Sequence, residues 1–180
     1  RLTLMVDGKE IGRLDRRLGE KTIELPPTLN PMPVLDILVE GMGHINFAQE
    51  IIDRKGITDR VTLSGMTLMN WEAYLLPLSD AWMAGLQGSS ESEEAGSSRP
   101  GRFFRGTFRL DRPEDTFLDM TGYGKGVVWV NGHNLGRFWD IGPQRRLYCP
   151  APFLKAGENV VIVLDLIKTD PSPLRGTPEP

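Results

Sequence analysis

The chain has 180 residues, of which 39% are hydrophobic and 25% are charged, a composition typical of a globular protein with a buried core. The net charge is −3, from 21 basic and 24 acidic residues, which argues against a nucleic-acid partner because that partner would require a basic face. No apolar run in the sequence is long enough for a membrane-spanning helix, and the single cysteine, Cys149, excludes an internal disulfide.

The first predicted element is a β-hairpin, and it recurs later in the chain. Asp7-Gly8 and Asn131-Gly132 are both pairs that favour a type I′ turn, in which the two central residues adopt positive φ. Each hairpin precedes a short strand that ends before a proline, and then an apolar strand. The matching segments are Val6–Arg13 with Val130–Arg137, Leu25-Pro26 with Cys149-Pro150, and Val34–Val39 with Val160–Asp165. Three elements in the same order predict two copies of one fold.

The middle of the chain predicts little helix. Leu78, Trp82 and Leu86 have helical spacing, and Ser79 is available as an N-cap. A single helical turn is predicted near residues 48–53. The polar segment Gly88–Gly101 is predicted to be a mobile surface loop, because it has too little apolar area to offset its ordering entropy.

The second half predicts a series of short strands separated by turns. This pattern is typical of a sandwich or jelly roll. Alternation places Val127 and Trp129 on one face of a strand and Val128 and Val130 on the other. In the next strand it places His133, Leu135, Arg137 and Trp139 on one face and Gly136 on the opposite one, where a side chain is expected to obstruct a close neighbour. The predicted strands are Phe103–Leu110, Thr116–Met120, Val127–Val130, His133–Trp139, Arg145–Cys149 and Val160–Leu166.

Four segments resemble the glycoside hydrolase family 35 β-galactosidases, especially bacterial members. They are LDILVEGMGHINFAQEIIDRKGI (Leu35–Ile57), RGTFRLDRPEDTFLDM (Arg105–Met120), GKGVVWVNGHNLGRFWDIGPQRRLYCP (Gly124–Pro150) and LKAGENVVIVLDL (Leu154–Leu166). In that family a catalytic (β/α)8 barrel precedes two galactose-binding-like jelly rolls, and this chain resembles only the later part. The resemblance implies an all-β fold of two jelly-roll sandwiches, the first incomplete at its N-terminus.

The domain expectation follows from the resemblance and the repeat. Residues 1–70 are predicted to be a partial first jelly roll, and residues 71–167 a second one that contains the loop at 88–101. Residues 168–180 are predicted to be a proline-rich tail.

The resemblance assigns no catalytic residue to this chain. The family's reaction needs two carboxylates about 5 Å apart, and both belong to motifs of the barrel that these 180 residues do not match. Asp36, Glu40 and Asp165 are interpreted as strand-end or solvent-facing carboxylates. Whether the chain acts as an enzyme by itself is therefore left open, and no cofactor or metal is implied.

The stretch Gly122–Gln144 carries the candidate substrate-binding residues. An aromatic ring can cover the C–H face of a sugar while amide, imidazole and guanidinium groups bond its hydroxyls. The same residues can instead pack within or between the modules. Trp129 shares a face with Val127, which favours a core position for it. The candidates are Trp139, Arg137, His133, Gln144 and Trp129.

The favoured interpretation is a non-catalytic β-sandwich region of a β-galactosidase, an enzyme that removes terminal β-D-galactose from glycans. Its expected partner is the missing (β/α)8 catalytic domain, which it would buttress, with no nucleic-acid or membrane partner. The alternative is an autonomous galactoside-binding module. A third possibility is a protein-interaction scaffold. The sequence specifies no compartment, and a periplasmic or extracellular parent enzyme is consistent with it.

Overall fold

A computed structural model describes residues 1–27, 30–41, 43, 45–86 and 101–179. They divide into two compact units, Arg1–Leu76 and Pro77–Pro180. Both units are built from antiparallel β-sheets with little helix, so the predicted all-β class is confirmed. Residues 88–100 of the predicted mobile loop lie outside the described residues.

The first unit contains one three-stranded sheet and a short ribbon. Strands β1 (Leu2–Val6), β2 (Lys9–Leu14) and β3 (Leu35–Val39) form an antiparallel sheet in the order β2-β1-β3. Strands β4 (Thr62–Leu63) and β5 (Met66–Thr67) form the ribbon. Gln49–Ile52 is a 3-10 helix, which confirms the predicted helical turn, and Arg16–Leu18 is another.

The second unit is a sandwich of two antiparallel sheets. Its one α-helix in the described residues is α1 (Asp80–Ala84), and a 3-10 helix spans Ala151–Phe153. The sheets have the orders β6-β11-β8-β9 and β10-β7-β12. The strands are β6 (Arg102–Leu110), β7 (Thr116–Asp119), β8 (Lys125–Val130), β9 (His133–Trp139), β10 (Arg146–Cys149), β11 (Gly157–Asp165) and β12 (Arg175–Thr177).

The four-stranded sheet of the second unit is covered on both faces. The face toward the other sheet carries an apolar cluster that includes Val128, Phe138 and Leu118, which we call the inner cluster. On the opposite face, Trp129 and Ile162 pack with Met83 of α1 in an outer cluster. The predicted separation of neighbouring β8 side chains onto two faces is therefore confirmed.

Helix α1 covers the outer cluster although it has only five residues. The Ser79 hydroxyl accepts a hydrogen bond from the backbone N–H of Trp82 at 3.4 Å, as its predicted N-cap role requires. Leu78 and Leu86 pack against the outer cluster, whereas Trp82 is half exposed and contacts Phe103 edge-on. No helix in the described part of the chain is long and apolar enough to cross a membrane.

The predicted proline-rich tail contains a short strand, β12, at Arg175–Thr177. β12 pairs with β7, and Leu174 packs against the inner cluster. The Tyr123 hydroxyl donates to the carbonyl oxygen of Ser172 at 2.7 Å. The prolines were misleading because they flank the three paired residues of an edge strand, where a missing N–H costs little.

The predicted repeat is confirmed for the hairpin and the apolar strand. The short strand predicted to end at Leu25-Pro26 was wrong, because among the described residues between β2 and β3 there is no strand, whereas its counterpart in the second unit is β10. The order β2-β1-β3 corresponds to β9-β8-β11, with the same antiparallel pairings. In the first unit the N–H of Asp7 donates to Val34 O at 2.9 Å. In the second the N–H of Asn131 donates to Val160 O, also at 2.9 Å. The two copies therefore share both turn and register.

Candidate functional site

The hairpin β8–β9 positions most of the candidate residues. Asn131 and Gly132 have φ of 48° and 85°, the left-handed values that a type I′ turn requires. The register then shifts, because Val128 pairs with Gly136 while Trp129 pairs with Asn134. Leu135 is thus the extra residue of a β-bulge.

The bulge overturns the predicted alternation along β9. Strict alternation places His133, Leu135, Arg137 and Trp139 on one face. Instead, Leu135 packs against the inner cluster together with Phe138, three residues away. One extra residue shifts the alternation by one position, so Arg137 and Trp139 lie on the opposite face from Leu135.

Gly136 also has a different role from the one expected. A glycine opposite the aromatic face suggested that a side chain would obstruct a neighbour, but a Cβ there would meet nothing within 4 Å. Its φ is 112°, a conformation that favours glycine. The bulge, rather than crowding, explains this glycine.

His133 lies at the start of β9 with its imidazole against a phenyl ring. The His133 and Phe153 ring centroids are 4.1 Å apart and the planes differ by 12°, a stacked arrangement. His133 is exposed, so its ring remains at the surface with one face covered by Phe153. A sugar could reach its nitrogens or its second face.

Trp139 and Gln144 are brought together at the other end of β9. The N–H of Trp139 donates to the carbonyl oxygen of Gln144 at 3.0 Å, across a loop that contains a cis Gly142-Pro143 peptide bond. Lys125 Nζ lies 4.0 Å from the centroid of the Trp139 ring, a cation–π arrangement. The ammonium occupies one face of the indole, so a sugar would need the other.

Trp129 is removed from the set of candidate contact residues. It is only 1% exposed, at the centre of the outer cluster with Met83, Ile162 and Leu164. Its Nε1 has no hydrogen-bond partner among the described residues. A ring enclosed between a sheet and a helix cannot cover a ligand, so its proposed sugar contact was wrong and the core interpretation is confirmed.

Asp165 is a strand-end carboxylate, one of the two interpretations that the sequence allowed. It is the last residue of β11 and is fully buried, so the solvent-facing alternative does not hold for it. Its carboxylate accepts backbone N–H bonds from Gly124 at 2.7 Å, Ile167 at 2.8 Å and Lys168 at 2.9 Å, with Lys125 at 3.4 Å. A buried carboxylate needs such donors, so this residue organises the strand ends.

Asn131 also has a larger role than its turn predicts. Its Nδ2 donates to Phe153 O at 2.8 Å and to Asn159 Oδ1 at 2.7 Å, while its Oδ1 accepts from the N–H of Val160 at 3.0 Å. Asn159 is itself fully buried and donates to Lys155 O at 2.9 Å. These bonds hold the loop before β11 against the hairpin turn.

A groove of about 710 Å³ opens between the two sheets of the second unit. Its floor is apolar and consists of inner-cluster residues and residues packed on them. At its rim, the N–H of Ala151 and the Tyr148 hydroxyl lower the pKa of Asp115 by hydrogen-bonding its carboxylate. The residues that dominate its floor are Phe104, Phe108, Leu110, Leu118, Val161 and Leu174.

No group of three or more His, Cys, Asp or Glu residues placed to hold a metal ion was found in the part of the chain that the structure describes. Cys149 is fully buried, and burial raises the pKa of its thiol to about 11. It is therefore a small core residue and a poor nucleophile near neutral pH.

The two units match two family models in chain order. Residues 1–78 match the model described as "Beta-galactosidase, first all-beta domain". Residues 102–159 match the model described as "Beta-galactosidase, galactose-binding domain". The chain is therefore similar, over most of its length, to the β-domains of β-galactosidases.

Similar proteins come from a bacterium, a plant and an animal. The chain is 39% identical to a β-galactosidase of Xanthomonas manihotis over 145 residues, 79% of this chain and 23% of the relative. It is 34% identical to β-galactosidase 8 of rice over 86% of this chain and 28% of the relative. It is 37% identical to human β-galactosidase-1-like protein 2 over 94% of this chain and 26% of the relative. The chain thus spans about a quarter of the length of these relatives.

Proposed function

We propose that the chain is the non-catalytic, C-terminal β-domain region of a bacterial glycoside hydrolase family 35 β-galactosidase. Its role is to buttress the (β/α)8 barrel that hydrolyses terminal β-D-galactose from glycans. One observation carries the proposal: two β-galactosidase β-domain models match in succession, while the chain spans only 21–28% of full-length relatives.

The environments of the carboxylates support a non-catalytic role. Retaining hydrolysis needs a nucleophile and an acid/base about 5 Å apart in a substrate cleft. Asp165 is fully buried and bound by backbone N–H groups. Asp115 holds Tyr148 and the Ala151 backbone, and Asp53 bridges Arg16 and Lys55. Each of these carboxylates serves the fold.

The surface of the first unit supports a docking role. Phe47 and Ile52 are 81% exposed, and Leu75 is 91% exposed next to the exposed Tyr74. Among the described residues of this unit, only Thr3 and Leu4 are buried. Interfaces between domains of one chain commonly bury about 600–1,500 Å², and large exposed apolar side chains are suited to such a contact.

The first test is enzymatic. The isolated chain should not cleave a chromogenic β-galactoside. Turnover that persists after repurification and is blocked by a galactosidase inhibitor would overturn the proposal of a non-catalytic chain.

The second test is assembly with a barrel. The separately produced barrel of the Xanthomonas relative is mixed with this chain and examined by sedimentation. A complex should form, and Tyr74→Ser with Leu75→Ser should weaken it, whereas Tyr148→Ser in the second unit, also exposed, serves as the control. Absence of any complex, or equal weakening by the control, contradicts the buttressing role.

Galactoside binding is the second candidate function. The exposed side chains Arg137 and His133, with Trp139 and Gln144 at the strand end, lie within the segment that matches the galactose-binding domain model. Titration calorimetry with galactose, comparing Trp139→Ala with the control Trp71→Ala, tests it. A binding heat that is lost in Trp139→Ala and kept in Trp71→Ala supports a binding module. Negligible heat on adding galactose to the unaltered chain contradicts galactoside binding.

A further inference from the structure

The second unit presents a long strand edge along its groove. β6 has nine residues and is the terminal strand of its sheet, paired with β11 from Arg102 to Leu110. Within the described residues no strand pairs with its other edge. Along Phe103–Leu110 this edge offers a row of backbone donors and acceptors to another strand.

The side chains of β6 alternate strictly between two environments. Phe104 and Phe108 point inward and pack against the inner cluster, yet they are only partly buried. Arg105 and Arg109, each one residue after a phenylalanine, are exposed and by alternation lie on the outer face. The inward side chains line the groove, so a strand added to β6 would cover them with alternate residues of its own.

The facing wall of the groove is also open. β12 is a three-residue strand at the end of the other sheet, and Leu174, which precedes it, lines the groove and packs on the inner cluster. The groove of about 710 Å³ therefore lies between the free edges of two sheets. A strand added to β6 would extend that sheet along the open side of the sandwich, with its inward side chains in the groove.

We propose that this groove receives an extended β-strand that pairs with β6. The strand is supplied by the part of the parent β-galactosidase outside these 180 residues, so the inference rests on the proposed function. Its inward positions are apolar, to fill the space over Phe104 and Phe108. Its outward positions are acidic, because Arg105 and Arg109 flank it on the solvent side and opposite charges stabilise neighbouring strands.

Two other occupants fit the groove less well. A small apolar ligand would cover the phenyl rings but would leave the backbone groups along β6 unpaired. A second copy of the chain would bring the arginines of two β6 strands together, and like charges on adjacent strands destabilise the pairing. The relatives are about four times longer than the matched region, so a parent polypeptide has ample chain to supply a strand.

The probes are overlapping 12-residue peptides that tile the Xanthomonas manihotis β-galactosidase outside the 23% matched by this chain. Binding is measured by fluorescence anisotropy, and amide exchange is followed along β6. One neighbouring set of peptides should bind and slow exchange of the β6 amides at least tenfold. Amides of β9, the opposite edge of the same sheet, should not change and provide an internal control.

Two variants test whether the strand lies in the groove. Phe108→Asp should abolish peptide binding by placing a charge on the floor. Leu174→Asp acts from the opposite wall and keeps the test decisive if the first variant unfolds. Asn134→Asp, an exposed position on β9, carries the same charge change outside the groove and should leave binding within twofold of the unaltered chain.

The outcomes separate this inference from the proposed function. Three results would overturn the added strand. The first is that none of the peptides protects the β6 amides from exchange. The others are that protection grows with the concentration of this chain without peptide, or that dodecanoate protects β6 as well as a peptide does. If the barrel forms a complex while no peptide binds, only the strand inference fails. If a peptide binds but the barrel does not, the buttressing role fails while the strand site stands.

Discussion

The two hairpins of this protein have the same local geometry but very different burial. Both turns have positive φ at two successive residues, Asp7-Gly8 and Asn131-Gly132. Both first strands carry a register shift after their third or fourth residue, at Leu4/Met5 and Val128/Trp129. These bulges occupy equivalent positions of the repeat. Turn and bulge chemistry is thus sufficient to define the hairpin in either unit.

Burial differs because only the second hairpin has layers on both faces. Val128, Val130 and Trp129 are almost completely enclosed, by the second sheet on one side and by α1 on the other. The corresponding strand of the first unit buries Thr3 and Leu4. The comparison teaches that the same local motif becomes a core element only where tertiary partners cover it.

The largest effect should come from Gly126→Ala in the second unit. A Cβ at Gly126 would lie 1.7 Å from the carbonyl oxygen of Leu164, and backbone cannot move aside as a side chain can. The loss of unfolding free energy should reach about 4 kcal/mol or more, measured by urea unfolding. Leu2 occupies the equivalent place in the first unit, so Leu2→Ala should cost clearly less. Near-equal losses would break the comparison.

Asp165→Ala should produce the next largest loss. It leaves the N–H groups of Gly124, Ile167 and Lys168 without their acceptor in a buried site, which should cost about 3–4 kcal/mol. The control is Asp36→Ala on the exposed face of β3, where a change of about 0.5 kcal/mol or less is expected. Both variants are measured by thermal unfolding. A loss of stability in Asp165→Ala as small as that in Asp36→Ala would contradict the structural role of Asp165.

Cys149 should make the second unit sensitive to alkaline pH. Burial first, and the charge of Asp115 second, raise the pKa of this thiol from an ordinary value of about 9 to about 11. Between these values the unfolded thiol loses its proton while the folded one keeps it. The contribution of this thiol to stability is therefore fully present below pH 9 and is lost as pH rises to 11, by about 2–3 kcal/mol in all.

The measurement is the unfolding free energy against pH for the unaltered chain and for Cys149→Ala. Subtracting the two curves removes the contributions of other groups, and the difference should fall between pH 9 and 11. Leu25 occupies the equivalent place in the first unit and is 38% exposed, whereas Cys149 is fully buried. A flat difference curve would show that the thiol is not desolvated.

The smallest expected effects come from giving each hairpin turn the residue of the other, Asp at position 131 and Asn at position 7. Asn131→Asp removes donors to Phe153 O and Asn159 Oδ1 and should cost about 2 kcal/mol. Asn159 cannot simply rotate its amide, because its Nδ2 and Oδ1 are both bound to Lys155. Asp7→Asn changes an exposed contact with Asn30 and should cost about 0.5 kcal/mol. The losses of unfolding free energy are measured by denaturant titration. A larger loss for Asp7→Asn than for Asn131→Asp would mean that burial does not make the second turn the more sensitive one.

Much of the fold could be predicted because its signals are local. Paired turn residues and the Ser79 cap each depend on a few neighbouring residues, and each was located correctly, as were most of the strands of the second unit. The site was predicted less well. Trp129 was included among the sugar contacts although α1 and β11 enclose it, and the face of Leu135 was misassigned because a bulge leaves no distinct mark in the alternation.

Sequence alone therefore determined the all-β class, the repeated hairpin and the order of most strands, since turn geometry and period-two alternation are properties of short segments. Only the tertiary structure decided that Asp165 is buried, that residues 175–177 complete a sheet edge, and that a groove opens beside β6. Each of these depends on segments distant in the chain meeting in space, and no short stretch of residues specifies such a meeting.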